Sequence, residues 1–116
     1  MKKQTIELQA NLESSQCNEY LHAIRQTLEI IGGKWKVPLL WLLWQRTKRF
    51  NELRQGLPTI TQHMLTASLR ELEADGLVSR VVYAEVPPRV EYSLTEKGRS
   101  LHEVFVALGN WGLEQR

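Results

Sequence analysis

At Gly76 the hydrophobic period of this chain changes, and that change narrows the folds open to it. Over residues 61–75, Met64, Leu65, Leu69 and Leu72 recur at helical spacing. At about 100° per residue they fall on one side of a helix, with Ser68 among them, while Gln62, His63, Thr66 and Arg70 fall on the other. After Gly76, residues 78–83 are β-branched and aromatic, and Val90, Tyr92 and Leu94 alternate with Glu91 and Ser93 as in a half-buried strand. Pro87-Pro88 between these runs cannot continue a paired ladder, so they predict a hairpin with a long tip.

Upstream the pattern is helical. Asn18 is placed to cap a first helix, whose stripe is Leu21, Ile24, Leu28 and Ile31 and whose end is Gly32-Gly33. A second helix over about 34–46 tolerates Pro38 in its first turn. With Leu39, Leu40, Leu42, Leu43, Trp35, Trp41 and Trp44 it is apolar nearly all round, the pattern of a central buried helix. The tryptophans are read as core before ligand pocket. Thr47-Lys48-Arg49-Phe50 interrupts the pattern. Asn51 then caps a short helix to Gly56, Leu57-Pro58-Thr59-Ile60 forms a tight turn, and Thr61 caps the longer helix that Gly76 ends. Thr95 caps a last helix to about 114. A short helix, a turn, a longer helix and then a hairpin make a winged helix-turn-helix, mainly α with a small β-hairpin (α+β).

A chain of 116 residues allows one domain with one core. Residues 1–16 read as a polar leader, a flexible arm in preference to a strand through Ile6 and Leu8, and residues 17–116 as the folded domain. A single cysteine, Cys17, excludes a disulfide within the chain and a cysteine-rich metal site; no metal and no cofactor are expected. Polar residues with Glu7 and Glu13 follow Met1-Lys2-Lys3 where a signal peptide needs an apolar run, and no stretch approaches the roughly 20 apolar residues of a membrane span. The expectation is a cytoplasmic protein with no membrane partner.

The net charge of +2 decides nothing; the placement of charge does. The polar face of the 61–75 helix carries side chains that read DNA: Gln suits adenine, Arg suits guanine, Thr meets a phosphate or a methyl. Acids enter only at Glu71, Glu73 and Asp75, so the N-terminal end, with its free N–H groups, is the one that favours phosphate. Arg46, Lys48, Arg49 and Arg54 cluster before and within the short helix, and Arg89 follows the two prolines of the hairpin tip, placed for a phosphate or a minor groove. A merely solvated face is the competing reading for each. An enzyme is disfavoured: there is no glycine-rich phosphate loop or nucleophile motif, and His22, His63 and His102 lie on three different helices. The other alternative, a winged-helix module binding protein or RNA, needs an apolar or acidic face where this one is polar and locally basic.

The run from Cys17 to Trp111 resembles the HxlR family of winged-helix regulators, relatives of the MarR group. The resemblance is carried by Ile31-Gly32-Gly33-Lys34-Trp35, Arg49-Phe50-Asn51-Glu52-Leu53, Leu69-Arg70-Glu71-Leu72-Glu73-Ala74-Asp75-Gly76-Leu77-Val78, the wing from Val81 to Tyr92, and Leu94-Thr95-Glu96-Lys97-Gly98. It implies a homodimeric transcription regulator that binds double-stranded DNA at an inverted repeat. Carried over by position, Thr59, Thr61, Gln62, His63, Thr66 and Arg70 would form the recognition element, and Arg49 and Arg89 would hold phosphates. It also implies dimerisation through the first and last helices. The residues agree, since Leu101, Val104, Leu108 and Trp111 make a seam with Phe105 beside it, and Leu21, Ile24 and Leu28 offer a second stripe. Some members sense oxidants or electrophiles through a cysteine just before the first helix, the position of Cys17. With no second cysteine, a sensor here is limited to a symmetric Cys17–Cys17 bridge, a mixed disulfide, oxidation or alkylation.

Overall fold

The computed structural model describes residues 14–116. The chain divides into two compact units, 1–32 and 33–116. The first contains α1 (Ser14–Ile31). This helix begins ahead of Asn18, so Cys17 lies within its first turn and not before it, and residues 14–16 of the expected leader are helical. The rest of that leader, Ile6 and Leu8 included, lies outside the described residues. Leu21, Ile24 and Leu28 are exposed, while Ile31 at the C-terminal end is buried. Glycine is required at position 32, because a Cβ there would stand 2.3 Å from the Leu28 carbonyl oxygen.

The second unit runs α2 (Lys36–Gln45), β1 (Lys48–Arg49), α3 (Phe50–Gly56), α4 (Gln62–Ala74), β2 (Val78–Tyr83), β3 (Arg89–Leu94), α5 (Glu96–Arg99) and α6 (His102–Glu114). Leu39 and Leu43 of α2, Leu53 of α3 and Leu65 and Leu72 of α4 are at most 1% exposed. Each such leucine contributes about 2 kcal/mol by leaving water, and together they fix α4 against the helices before it. The expectation that α2 is buried all round holds for Leu39, Leu40 and Leu43 but not for Trp41, which is 43% exposed. The Trp44 ring stacks on His102 at 4.0 Å between centroids. Trp41 and Trp44 border a crevice too narrow for a water molecule, walled also by Leu40, Leu94, His102 and Phe105.

The sheet has three strands in the order β1-β3-β2, all antiparallel. The hairpin β2–β3 was expected; β1 was not. Two residues are too few to show an alternation, and β1 exists because β3 offers it an edge. It places Lys48 opposite Tyr92 and Arg49 opposite Glu91.

Local chemistry fixes both ends of α4. Thr61 caps it, its Oγ1 accepting from the Met64 N–H at 3.0 Å. At the other end Gly76 takes φ +75°, the Gly76 N–H bonds to the Glu73 carbonyl and the Leu77 N–H to the Leu72 carbonyl. This is a Schellman closure, which turns the chain directly into β2. The single last helix expected from Thr95 onward is two. Thr95 caps α5 through the Gly98 N–H, but the Ser100 hydroxyl donates to the Lys97 carbonyl and the Leu101 N–H reaches back only to Gly98. That tightened turn redirects the chain into α6. Phe105 of α6, expected beside an intermolecular seam, is 8% exposed and lines the crevice with Leu40, Leu94 and His102, so it belongs to the core of its own chain. No described helix is long and apolar enough to cross a membrane.

Candidate nucleic-acid interface

Burial of Leu65, Ser68, Leu69 and Leu72 leaves the opposite side of α4 facing solvent. Thr61, Gln62, His63 and Arg70 are exposed and Thr66 is half-buried. Thr59, in the preceding turn, is exposed too. Met64, grouped with the apolar side from its spacing, is 42% exposed and joins the outer surface of the first turn. The acids of α4 lie further along. Glu71 is drawn off by Lys36 at 2.8 Å, an ion pair that ties α2 to α4.

The cations expected to hold phosphate differ sharply in availability. Arg46 is bonded to Glu52 and donates to the Thr47 carbonyl, which neutralises it locally. Glu52 is held in turn. The Arg46 hydrogen bond, then the Arg49 backbone N–H that donates to it at 2.9 Å, lower its carboxyl from the ordinary 4.5 to about 2. Glu52 thereby closes the N-terminus of α3, whose cap residue is Arg49 where Asn51 was expected.

Arg89 opens β3 and does not sit at the free tip of the hairpin. Its guanidinium lies over the Tyr83 ring at 4.0 Å, with Nη2 3.3 Å from Glu85 and Nε 3.7 Å from Glu91. The second distance is within ion-pair reach but too long for a hydrogen bond, and Nε has no other partner among the described residues. Arg89 is therefore packed onto its own hairpin. Arg49, across from Glu91, points to the sheet face opposite to that of Tyr92, because neighbouring strand residues alternate sides. The structure thus brings Thr61, Gln62, His63, Thr66 and Arg70 together on α4, and sets Arg49 and Arg89 on a different face.

Arg80 is the residue that the sequence reading missed. It is exposed, it stands opposite Tyr92, and it lines a cleft of about 290 Å³ with Thr66, Leu69, Arg70, Glu73 and Tyr92. Its signal was present in the alternation of β2: Val78 is core, so Arg80, two residues on, lies on the same face. A second open cleft of about 310 Å³ runs along α3 and the turn, lined by Asn51, Arg54, Gln55, Pro58 and Ile60.

A helix set on a leucine core, a capped polar face and a hairpin directly after it define a winged helix-turn-helix protein of the transcription-regulator class. The sequence model of the family described as HxlR-like helix-turn-helix matches residues 30–116, and the chain belongs to that family. It is 57% identical over 89 residues to the HTH-type transcriptional regulator YdeP of Bacillus subtilis (strain 168), covering 77% of this chain and 70% of that one. Its fold is similar to that of the redox regulator HypR in its oxidised form, with a TM-score of 0.76, 53% identity, and coverage of 81% of this chain and 97% of that one. It is also similar to the reduced form of the transcriptional regulator YodB from B. subtilis, with a TM-score of 0.71, 36% identity, and coverage of 77% and 87%.

Proposed function

We propose that this transcription regulator acts as a homodimer that binds an inverted-repeat operator in double-stranded DNA, with α4 of each chain in a major groove. The observation that carries this reading is the outer face of α4: Gln62, His63 and Arg70 stand exposed with no acid before Glu71, rigidly backed by Leu65, Leu69 and Leu72. Gln in that setting reads an adenine edge, Arg meets a guanine edge or a phosphate, and Thr59, Thr61 and Thr66 flank them for backbone contacts. Arg89 and Arg49 serve this reading less directly than their positions in the sequence implied, since neither shares the face of α4. Dimerisation is supported by α6, where Val104, Leu108 and Trp111 are exposed at seam spacing, and by the exposed stripe of α1. Two recognition helices would then meet successive grooves about 34–36 Å apart.

Redox control through Cys17 is part of the proposal, motivated by the names of HypR and YodB. The thiol is exposed in the first turn of α1. Two Cys17 thiols of a dimer would lose two protons and two electrons to an oxidant such as diamide, forming one S–S bond. The test is anisotropy of the purified protein on duplexes enriched from a random pool, over a salt series, with and without diamide. Enrichment of an inverted repeat with steep salt dependence supports the reading. Absence of any enriched sequence would overturn it in favour of a partner-binding module. An identical diamide response in Cys17→Ser would remove the sensor alone.

A further inference from the structure

The cleft between α4 and the wing is more than a gap beside the recognition helix. Its walls come from two elements. From α4 come Thr66, Leu69, Arg70 and Glu73; from the sheet come Arg80 and Tyr92. Each wall presents one arginine, and among the described residues the guanidinium of neither Arg70 nor Arg80 has an ion pair, a hydrogen bond or a ring beneath it. That separates them from Arg46, Arg89 and Arg99, which are occupied by Glu52, by Glu85 with the Tyr83 ring, and by the Trp44 ring. Glu73 is the one acid lining the cleft, and it pairs with neither arginine.

The sheet register reinforces the charge. Tyr92 is the cross-strand partner of both Lys48 and Arg80, so one row across three strands reads Lys48, Tyr92, Arg80. Residues directly opposite one another share a face. Two cations therefore flank a buried tyrosine on the side of the sheet that carries Val78 and Leu94 into the core. The same row holds no acid. On the next row, Glu91 stands between Arg49 and Val81, and its carboxylate lies 3.7 Å from Arg89 Nε.

Two unpaired guanidinium groups facing one cleft of about 290 Å³ are suited to a phosphodiester, whose oxygens match the guanidinium fork. We infer that Arg80 and Arg70 form a clamp on the nucleic-acid backbone between the recognition helix and the wing, with Arg80 as the wing's principal phosphate contact. The inference rests on the proposed DNA binding and adds to it a residue and a position. Contacts of this kind fix register without reading sequence, so Arg80 orients α4 in its groove while Gln62 and His63 face the base edges.

The test is fluorescence anisotropy on a labelled random-sequence duplex of about 30 base pairs, long enough for two half-sites. Wild type is compared over a salt series with Arg80→Ala, Arg80→Gln, Arg80→Lys and a charge-matched control, Arg116→Ala, at the exposed C-terminus. Thermal melts establish that each variant is folded, and Gln supplies a second neutral replacement that keeps more of the side chain. We expect Arg80→Ala and Arg80→Gln to weaken binding roughly tenfold, as loss of a charge-assisted bond does. The slope of log affinity against log salt should fall by about one per bound chain. Arg80→Lys should keep the slope, and Arg116→Ala should match wild type. If the neutral Arg80 variants shift no more than Arg116→Ala, or if the slope is unchanged, the clamp is wrong while DNA binding stands. If wild type itself does not bind duplex DNA, the DNA reading falls and the clamp with it.

Discussion

The side chains of Arg46 and Glu52 are joined across the start of α3, and Glu52 reaches further to the Arg49 backbone N–H. One carboxylate thus ties the end of α2 to the first turn of the helix-turn-helix. The Arg46 bond is the largest cause of its lowered pKa, about 2 against an ordinary 4.5.

That shift sets a pH dependence. A carboxyl with a depressed folded pKa adds stability that is fully present above its unfolded value and is lost as pH falls through the folded one. Glu52 should therefore contribute above about pH 4.5 and lose its contribution between there and about pH 2. Urea unfolding midpoints followed from pH 7 to pH 2 check this. The difference between wild type and Glu52→Gln should shrink across that window and be absent at its acid end. Because the pair is solvent-exposed, added salt should reduce the difference as well. A constant difference at every pH would show that Glu52 acts only as a neutral hydrogen-bond acceptor.

Gly98 is a packing requirement. A Cβ at this position would lie 2.2 Å from the Leu77 carbonyl oxygen and 3.2 Å from Leu94 Cδ2. The nearest atom is backbone, in the connection between α4 and β2 that the Thr95 N–H also binds through the same carbonyl. Gly98→Ala should cost about 2 kcal/mol or more as the two segments move apart. In chemical denaturation this appears as a lowered midpoint with little change in slope. Gly109, with open space around its Cβ position, is the control: Gly109→Ala should hold or raise stability, since alanine favours a helix interior.

The proposed dimer makes a separate prediction. Leu108 is 56% exposed and Trp111 66% exposed on α6, so a lysine at position 108 costs the folded chain little by itself. If these residues form a two-fold seam, Leu108→Lys should sediment as a monomer with an unaltered circular dichroism spectrum. Its affinity for an inverted repeat should drop by orders of magnitude, because one half-site contact no longer supports the other. Phe105→Lys, in contrast, should unfold the domain, since Phe105 is buried in its own chain. A wild-type protein that is monomeric at micromolar concentration would count against the seam.

Much of this protein was determined locally. Thr61 as the cap of α4, Gly76 as its stop, the leucine face of that helix and the strand alternation through Val90, Tyr92 and Leu94 depend on residues within a turn or two of one another, and the sequence displays them openly. The resemblance carried by the wing and by Leu94-Thr95-Glu96-Lys97-Gly98 gave the family for the same reason. Tertiary structure decided what depends on distant partners. β1 forms only because β3 lends it an edge, and two residues have no period of their own. Whether a cation is free or occupied turns on acids and rings elsewhere in the chain: Arg89 is held by Glu85 and Tyr83, Arg46 by Glu52, while Arg80 is left open. Which face Arg49, Arg80 and Arg89 occupy follows from strand register, and a shift of one residue would reverse all three. Phe105 and Leu108 look alike in sequence, and only the packing of α6 against Leu40 and Leu94 sends one to the core and leaves the other exposed.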